Sequence, residues 1–502
     1  MRYNVSSYKI WGLIMIKEEY RNCVRSLIMI LVKATYDVFP GSSVVLEHAL
    51  GNGIFGEIHK EHHLTKEDIN LIKNRMEEII KADYKFIKKK INKNEAEKFF
   101  KGKAVEDKIK LLKYVKKEEI SLYSLDGYYD YFFGDMINST GDIKNFDIIY
   151  YNPGFILLPP KGINTSELES FKEQKNLFKI FYESEQWGNI LGVGNVGDLN
   201  EKIDNGEIKD IIRINEALHE KKIAYIADSI HKDKNIKVVL IAGPSSSGKT
   251  TFCNRLSIQL RVNGMIPVPI SLDNYFVHRD QTPLDEDGNL DFESIYALDL
   301  QLFNEDLNNL LKGKEVNLPI FDFKTGMRSI SANTTMLPKN GVLLIEGIHG
   351  LNDILTSSID KKYKYKIYLS ALTQLNLDNH NRISTSDVRI IRRIVRDSLS
   401  RGYSGEVTLK MWDSIKRGER KNIFVFQEEA DATFNSTLVY ELCVLKKYAL
   451  RELNKIPENS VVYNDAKRLI DLLEVFNEID SEGIPENSII REFIGDSCFY
   501  EY

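Results

Sequence analysis

Residues 1–165 contain two kinds of hydrophobic pattern, one with helical spacing and one with the alternation typical of strands. The apolar spacing predicts a helix over roughly 20–38, and a second helix behind Thr65, which can cap it with Asp68 three residues on. Alternating and aromatic runs predict strands, around 118–133 and 146–158. This mixture is typical of an α+β domain. Met15 could be the native start, or the residues before it could be a frayed extension of the first helix.

A different pattern begins near residue 236. Residues 166–235 are mainly polar at helical spacing, which predicts a helical connector. Three continuous apolar runs then follow, typical of parallel strands that are buried on both faces: Val238–Ala242, Val342–Ile345 and Tyr365–Leu369. Because helical stretches separate these runs, we expect a doubly wound α/β domain over 236–450. Residues 451–502 are expected to form a helical extension.

Composition narrows the class of protein. The 502 residues are 43% hydrophobic and 28% charged, as in an ordinary globular protein of two or three domains. The net charge of −5 gives no sign that nucleic acid is the main partner. Four scattered cysteines suit a reducing cytosol, and the apolar run Ile10–Ile16 is too short to span a bilayer. We therefore expect a soluble cytoplasmic protein, which could form homo-oligomers.

The strongest motif follows the first buried run. Gly243-Pro244-Ser245-Ser246-Ser247-Gly248-Lys249-Thr250 has the spacing of a phosphate-binding loop between a strand and a helix. The glycines let successive backbone N–H groups face an anion, Lys249 can reach the outer phosphates, and Thr250 can supply a hydroxyl to Mg²⁺. The predicted ATP-binding residues of this segment are Gly243, Ser245, Ser246, Ser247, Gly248, Lys249, Thr250 and Thr251.

Two acidic residues are candidates for the chemistry beside this loop. Glu346 ends the second buried run, where a carboxylate can hold Mg²⁺ or its waters, although an ordinary strand-end acid remains the alternative. Asp273 follows a short apolar run and could accept the proton of an attacking hydroxyl, or it could simply cap a turn. No guanine-specificity motif N-K-x-D is evident, which counts against a GTPase.

An arginine-rich stretch supplies candidate cations. At 3.6 residues per turn, one helix face carries only arginine while the opposite face is apolar; the arginines are Arg389, Arg392, Arg393 and Arg396. Such a face can close over ATP as a lid and stabilise the charge of a phosphoryl group in transfer. The alternative is a solvated charged face.

These pieces, in this order, resemble the uridine/cytidine kinase and phosphoribulokinase family of P-loop kinases over residues 236–450. The resemblance rests on the phosphate loop, 271–276, 282–283 with 291–293, 318–323, 346–348 and the arginine face. It implies that Asp273 is the catalytic base and that Lys249 also takes part in catalysis. It further implies that ATP is bound by Arg389, Arg392 and Arg393. It also implies that the acceptor pocket contains Asp273, Tyr275, Phe321, Asp322 and Arg396.

The sequence departs from the uridine/cytidine kinase pattern at two pocket positions. Phe321 stands where those kinases carry Tyr, and Gly326 stands where they carry His. Lys324 and Arg328 could instead serve a more anionic or differently shaped acceptor.

The amino-terminal region resembles the second additional domain of threonyl- and alanyl-tRNA synthetases, which edits mischarged tRNA. The matching stretches are 25–40, 64–68 and 130–141. The positions aligned with the metal and editing residues of that domain hold Arg25, Met29, Phe132 and Met136, none of which suits Zn²⁺. We therefore expect a scaffold without editing activity that is kept as a binding or regulatory module.

The sequence thus predicts an ATP- and Mg²⁺-dependent kinase acting on the 5′-hydroxyl of a uridine- or cytidine-like nucleoside. A kinase for another hydroxylated metabolite, such as a sugar phosphate or pantothenate, is the nearest alternative. A nucleotide-gated regulatory protein whose amino-terminal domain contacts tRNA or other RNA is a rival of a different class.

Overall fold

A computed structural model describes residues 4–162, 165–323 and 325–500, with side chains in the first helix described from Glu18 onward. Helix α1 spans Asn4–Val38, so it begins well before the predicted residue 20. Helix α2 spans Lys66–Lys81. Its cap is reciprocal: Asp68 N–H donates to the Thr65 hydroxyl at 3.2 Å, and Thr65 N–H donates to the Asp68 carboxylate at 2.8 Å. The predicted cap is therefore confirmed.

Two antiparallel sheets complete the amino-terminal region. Their strands are β1 (Ser43–Leu50), β2 (Gly53–His59), β3 (Ile87–Asn92), β4 (Glu119–Leu125), β5 (Tyr128–Tyr131), β6 (Asp147–Tyr151) and β7 (Gly154–Leu158). The strand orders are β1-β2-β7-β6 and β3-β4-β5, with helices α3 (Lys93–Gly102) and α4 (Glu106–Tyr114) between β3 and β4. Each predicted strand region contains a chain reversal, at Asp126-Gly127 and at Asn152-Pro153.

Three helices connect this region to the rest of the chain: α5 (Lys175–Leu191), α6 (Val196–Asp204) and α7 (Ile208–Lys232). Helices therefore occupy most of residues 175–232, and the role of 166–235 as a connector stays a prediction. The helices are packed rather than loose, because α7 buries apolar side chains such as Ile223 and Ile230 together with polar ones such as Asn215 and His219.

The second half of the chain is built on a parallel sheet. Its strands, in chain order, are β8 (Val238–Ala242), β9 (Ile266–Ser271), β10 (Val316–Asp322), β11 (Met327–Thr335), β12 (Gly341–Glu346), β13 (Lys364–Ser370) and β14 (Ala432–Asn435). Five of them form one sheet in the order β14-β13-β8-β12-β9, all parallel, and β10-β11 form a separate hairpin.

Helices cover the parallel sheet on both faces, so every residue of β8 and β12 is buried. Helix α8 (Lys249–Val262) packs on one face, and α9 (Leu300–Leu311) shares an apolar cluster with Val238 and Leu240 on the other. Helices α10 (Thr385–Arg396) and α11 (Gly405–Asn422) follow β13. The predicted doubly wound α/β fold is confirmed. All three predicted buried runs are strands of this sheet, at β8, β12 and β13.

The carboxyl-terminal residues pack against the same core. They form helices α12 (Glu441–Leu453), α13 (Tyr463–Glu474) and the short α14 (Arg491–Ile494). A single apolar cluster contains Phe100 of α3, Leu256 of α8, Leu469 of α13 and Phe493 of α14. This cluster crosses the boundaries predicted near residues 165, 235 and 450, whereas a second apolar cluster lies wholly within residues 23–157. The division into domains stays a prediction.

A buried ionic cluster joins the amino-terminal region to the loop between β13 and α10. The ammonium of Lys108 lies 3.0 Å from Asp130 and 3.3 Å from Asp378, and all three side chains are almost fully buried. Burial alone would lower the pKa of Lys108, but the two carboxylates outweigh it and raise that pKa. His380 Nδ1 lies 2.6 Å from Asp130 Oδ2. The two halves are therefore connected by charge as well as by apolar packing.

The positions aligned with synthetase metal residues have other roles in this fold. Met29 and Phe132 are buried in the amino-terminal hydrophobic core, and the Arg25 guanidinium donates to Asn22 at 3.0 Å. The resemblance of this region to an editing domain stays a prediction. Across the part of the chain that the structure describes, no helix combines the length and the apolar character needed to cross a membrane.

Candidate active site

The phosphate loop lies at the carboxyl edge of the parallel sheet, directly after β8. Ser246 and Gly248 adopt positive φ angles of 59° and 79°, which curl the loop around its own amides. A Cβ on Gly243 would lie 2.4 Å from the carbonyl oxygen of Leu369, so only glycine fits there. Lys249 then begins α8. The structure thus forms the strand, turn and helix that the motif requires.

The hydroxyl groups of the loop differ in exposure. Those of Ser246 and Ser247 are buried without a hydrogen-bond partner among the described residues, while Thr250 is exposed at the first turn of α8. The ammonium of Lys249 donates to the carbonyl of Pro244 at 3.1 Å. Unpaired buried hydroxyls are costly, and they are what a loop awaiting a polar ligand would contain.

Glu419 of α11 and Arg389 of α10 contact the loop at Ser245. The Ser245 N–H donates to the Glu419 carboxylate at 2.9 Å, and Arg389 donates to the Ser245 carbonyl at 3.1 and 3.2 Å. Glu419 and Arg389 also form an ion pair with each other, and the guanidinium stacks on Trp412 at 5.2 Å from the ring centre. These contacts hold the loop from the side of α10 and α11.

Arg392 supports the loop from behind. Its guanidinium is fully buried and forms a two-point ion pair with Glu441 at 2.9 and 2.6 Å. It also donates to the Ser246 carbonyl at 3.4 Å. Because its hydrogen bonds go to protein groups, Arg392 fixes the backbone of the loop in this structure.

Helix α10 differs from the expected lid in one respect. The sequence predicted an arginine face that closes over ATP, with a solvated face as the alternative. In the structure Arg389, Arg392 and Arg393 are buried, like the apolar residues between them. The packing of α11, α12 and α14 around α10 explains this burial. The arginines are therefore held at the loop by surrounding protein, and their contact with ATP stays a prediction.

A second group of cations surrounds Asp397, which follows α10. Arg393 lies 3.2 Å and Arg396 2.8 Å from its carboxylate, with Arg401 3.8 Å away. Burial would raise the pKa of Asp397, but these arginines outweigh it and lower that pKa. Arg393 also reaches the Ser245 hydroxyl at 2.6 Å, so this cluster extends to the phosphate loop.

Arg401 lies on the side of the cluster that faces Asp273. Crowding by Arg396, followed by burial, lowers the pKa of Arg401 to about 10, while the charge of Asp273 acts in the opposite direction. The Arg401 guanidinium also stacks on Phe323 at 5.2 Å from the ring centre. The candidate base Asp273 therefore lies close enough to Arg401 for the two charges to interact.

Glu346 and Asp273 lie at neighbouring strand ends. Glu346 ends β12 and pairs with Ile241 of β8 on one side and with Ser271 of β9 on the other. The Ser271 hydroxyl donates to the Glu346 carboxylate at 2.7 Å. Burial and then the negative charge of Asp273 raise the pKa of Glu346. Asp273 is half-buried on a 3₁₀ turn directly after β9.

A magnesium ion suits these donors. Mg²⁺ is commonly held by one or two carboxylates together with substrate phosphates and water. The exposed hydroxyl of Thr250 and the buried carboxylate of Glu346 supply oxygen ligands of this kind, and Asp273 adds a second nearby negative charge. Among the described residues, no group of three or more His, Cys, Asp or Glu side chains forms a complete metal site.

Glu293 is a further acid at this edge. Burial, and then the charge of Glu419, raise its pKa, whereas Arg393 and Lys249 act in the opposite direction. One of its carboxylate oxygens is buried without a hydrogen-bond partner among the described residues. A carboxyl group in this position can accept a hydrogen bond from a hydroxylated ligand.

Tyr275 does not lie where an acceptor could reach it. The side chain is 1% exposed, packs on Phe303 at 5.1 Å between ring centres, and donates its hydroxyl to Asp306 at 3.0 Å. The 3₁₀ turn that presents Asp273 directs Tyr275 into the core instead. The predicted role of Tyr275 in substrate binding is therefore not supported by its position.

Phe321 and Asp322 lie on the β10–β11 hairpin with Arg328, whereas Arg396, also predicted to contact the acceptor, ends α10. Phe321 is buried against Phe276 and Phe323, and its N–H donates to the side chain of Asn274 at 3.2 Å. Asp322 is exposed at the end of β10. Arg328 forms an ion pair with Asp299 at 2.9 Å, and Lys324 lies outside the described residues.

Sequence reasoning missed several groups that contact the phosphate loop. Glu419 lies in a helix of mixed charge that looks solvated, and no local pattern indicates its burial. Glu293 lies in 291–293, one of the stretches that carry the family resemblance, so this motif was a usable signal for it. Glu492 hydrogen-bonds to Thr251 from 241 residues further along the chain, a separation that no local pattern could reveal.

Comparisons with known proteins agree with this arrangement. Residues 238–441 match the phosphoribulokinase / uridine kinase family. A uridine kinase of Bacillus pumilus is 30% identical over 180 residues, which are 36% of this chain and 76% of the relative. A uridine kinase of Staphylococcus aureus is 30% identical over 185 residues, 37% of this chain and 79% of that protein.

A solved structure described as a possible uridine kinase from Bacillus stearothermophilus is 20% identical. It covers 43% of this chain and 98% of its own, with a TM-score of 0.30.

The matched region contains every part of the site that the strands bring together. It begins at the start of β8 and includes the phosphate loop, Asp273, Glu346 and the arginines of α10. The curated relatives are matched over more than three quarters of their length at 30% identity. The chain therefore belongs to the phosphoribulokinase / uridine kinase family and is an ATP-dependent kinase.

Proposed function

We propose that this kinase phosphorylates the 5′-hydroxyl of a uridine- or cytidine-like nucleoside, giving a nucleoside monophosphate and ADP. The observation that carries the proposal is the order of three neighbouring strands, β8, β12 and β9. Their carboxyl ends bring the phosphate loop, Glu346 and Asp273 to one edge of the sheet. Two relatives named uridine kinase, each 30% identical, support a nucleoside as the acceptor class.

Asp273 is the proposed general base. Its carboxylate accepts the proton of the acceptor hydroxyl while the hydroxyl oxygen forms a bond to the γ-phosphorus. The bond between that phosphorus and the β,γ-bridging oxygen breaks, and ADP leaves with the electron pair. General-base assistance of this kind contributes about 10²–10⁴ in rate.

Positive groups around the loop stabilise the charge in transfer. Lys249 lies at the start of α8, and Arg393 already reaches the Ser245 hydroxyl, so both can meet a γ-phosphate without a large rearrangement. Thr250 and Glu346 would hold Mg²⁺. When bound, the ion neutralises phosphate charge and orients the phosphates.

The acceptor would lie between Asp273 and the β10–β11 hairpin. Phe321 and Phe323 offer apolar ring surface, while Glu293 and Asp322 offer carboxyl groups to the hydroxyl groups of a ligand. Phe321 and Gly326 replace the Tyr and His of uridine/cytidine kinases, so the contacts to the base must differ here. This difference leaves another hydroxylated metabolite as the alternative acceptor.

A panel of acceptors tests the proposal. The purified full-length protein is given Mg-ATP and, separately, uridine, cytidine, a sugar phosphate or pantothenate, and both ADP release and product mass are measured. We expect a monophosphate from uridine or cytidine. Phosphorylation of another alcohol, with neither uridine nor cytidine phosphorylated, would contradict a nucleoside as the acceptor. The assignment of the protein as a kinase would still hold.

The same panel separates the regulatory rival. ATP hydrolysis that no small acceptor stimulates, together with tRNA binding by the full-length protein, would favour a nucleotide-gated RNA-binding protein. We propose that the amino-terminal region acts as a binding or regulatory module, since Arg25, Met29, Phe132 and Met136 replace the metal-binding and editing side chains of the domain it resembles.

A further inference from the structure

A carboxylate from the end of the chain occupies the amino terminus of α8. Glu492 accepts hydrogen bonds from the Thr251 N–H at 3.3 Å and from the Thr251 hydroxyl at 2.8 Å. The Tyr500 hydroxyl contacts the same Thr251 oxygen. Thr251 is 0% exposed and Glu492 8%, so these contacts are shielded from water.

The segment that carries Glu492, residues 485–500, is here named the strap. Its side chains Ile489 and Phe493 are buried in the main apolar cluster, and the Ser488 hydroxyl donates to Glu216 of α7. Arg491 donates to the carbonyls of Ser481 and Ile484 at 3.0 and 2.9 Å. The strap therefore has a defined position over α8.

The strap also contacts the phosphate loop itself. A Cβ on Gly248 would lie 2.5 Å from the side chain of Ile489, so this side chain packs directly on the loop backbone. The Phe493 ring lies 5.0 Å from the guanidinium of Arg392, which in turn donates to the Ser246 carbonyl. Because of these contacts, a change in the position of the strap would alter the packing around the loop.

The groups that Glu492 occupies are groups that a nucleotide needs. Backbone N–H groups at a helix amino terminus attract anions, and those of a phosphate loop bind the inner phosphates of a nucleotide. Thr251 lies two residues after Lys249, within the first turn of α8. A phosphate oxygen and the Glu492 carboxylate cannot both accept from the same N–H, and their negative charges repel each other.

An ordinary helix cap would explain a carboxylate at this place less well. Caps usually come from the residue that begins the helix, but here Gly248 occupies that position without a side-chain hydrogen bond. A second carboxylate, Glu419, accepts from the Ser245 N–H at the opposite end of the loop. Both ends of the anion-binding loop are thus occupied by acids of the same chain.

We propose that Glu492 is a built-in competitor of the nucleotide, so that binding of a nucleoside polyphosphate displaces its carboxylate from Thr251 and loosens the strap. This inference rests on the proposed function only in that the phosphate loop binds ATP. When Glu492 is bound to Thr251, the affinity of the protein for a nucleotide is low. Affinity then depends on the fraction of molecules in which Glu492 has left Thr251.

The test compares two glutamines in the full-length protein. Glu492→Gln keeps the size of the side chain and removes its charge, while Glu486→Gln makes the same change at an exposed position of the strap. Mg-ADP binding is measured by titration calorimetry for both variants and the parent. We expect Glu492→Gln to bind about tenfold more tightly, and Glu486→Gln to match the parent.

Equal or weaker binding by Glu492→Gln would overturn the proposal, as would a failure of all three proteins to bind Mg-ADP. Hydrogen exchange of the unaltered protein provides a measurement that does not depend on the folding of a variant. We expect exchange in peptides covering 485–500 to become faster when Mg-ADP is added. Unchanged or slower exchange would also overturn the proposal.

The acceptor panel keeps the two proposals distinguishable. Tighter Mg-ADP binding by Glu492→Gln without phosphorylation of any acceptor would support the strap and contradict the proposed function. Phosphorylation of a nucleoside, with equal Mg-ADP affinities for Glu492→Gln and Glu486→Gln, would support the proposed function and contradict the role of the strap.

Discussion

Glu419 accepts a hydrogen bond at 2.9 Å from the backbone N–H of Ser245, near the start of the phosphate loop. The carboxylate is fully buried and is also paired with Arg389, which donates to the Ser245 carbonyl. The two side chains therefore bind the N–H and the carbonyl of the same loop residue. This arrangement fixes the loop before any nucleotide arrives.

Glu419→Ala would remove one member of this buried pair. The Arg389 guanidinium would remain buried without its partner, so we expect the free energy of unfolding to fall by about 3 kcal/mol in urea unfolding experiments. Asp413→Ala removes an exposed ion pair with Lys416 on the same helix and should cost less than about 1 kcal/mol. Equal losses for the two variants would contradict a special role for the buried pair.

Lys249→Ala would remove the ammonium of the phosphate loop. We expect kcat with the acceptor selected by the panel to fall by about 10²–10³, because charge on the transferring phosphoryl loses a preorganised partner. Mg-ATP binding should weaken as well, as measured by calorimetry. Lys314→Ala, at an exposed position, is the matched control. A variant that turned over as well as its parent would refute the assignment of the loop.

Asp273→Asn would remove the proposed base but keep its shape. We expect kcat to fall by about 10²–10⁴ while the affinity for Mg-ADP stays close to that of the parent. The exposed Asp280→Asn should leave both quantities unchanged. Loss of nucleotide affinity together with kcat would instead indicate that Asp273 acts through the metal.

Tyr275→Phe separates a role in folding from a role in acceptor binding. The change removes the hydrogen bond to Asp306, so we expect a loss of about 1 kcal/mol in the free energy of unfolding. Because the hydroxyl faces the core, the KM for the acceptor should not change. A several-fold rise in KM without a loss of stability would restore the contact that the sequence predicted.

Glu47 of β1 gives the protein a pH-dependent stability. Burial, and then the nearby Glu185 and Glu57, raise its pKa from 4.5 to about 7 in the folded state. The folded carboxyl therefore holds its proton where the unfolded one has lost it. Stability from this group is lost as pH rises from about 4.5 to about 7.

We expect Glu47→Gln, which stays neutral, to be about 1 kcal/mol more stable than the parent at pH 8 and similar to it at pH 5. Urea unfolding at the two pH values measures this difference. Glu61→Gln, at an exposed position, should show no such dependence.

The fold of the second half was predictable because its strands are buried on both faces. Continuous apolar runs revealed β8, β12 and β13, and the loop motif fixed which strand precedes the site. The β10–β11 hairpin was not predicted, since its exposed positions break the apolar pattern. β14 has only four residues, too few for a periodic signal.

The candidate site was predictable where chemistry is local. The loop and Asp273 each follow a strand, Glu346 ends one, and parallel pairing brings these strand ends together. The burial of Tyr275 was not predicted, because a motif gives the identity of a residue but not the direction of its side chain. Glu419 and Glu492 were missed because their burial depends on packing between distant segments, which leaves no mark in the local sequence.

The buried Lys108 has a consequence for any attempt to isolate the catalytic half. A fragment beginning at residue 236 would keep Asp378 but lose the only cation that the structure places within 4 Å of it among the described residues. It would also uncover the apolar surface that Phe100 and Leu112 now cover. A shortened protein of this kind should be prone to aggregation, so comparisons with the shorter relatives are best made with the intact chain.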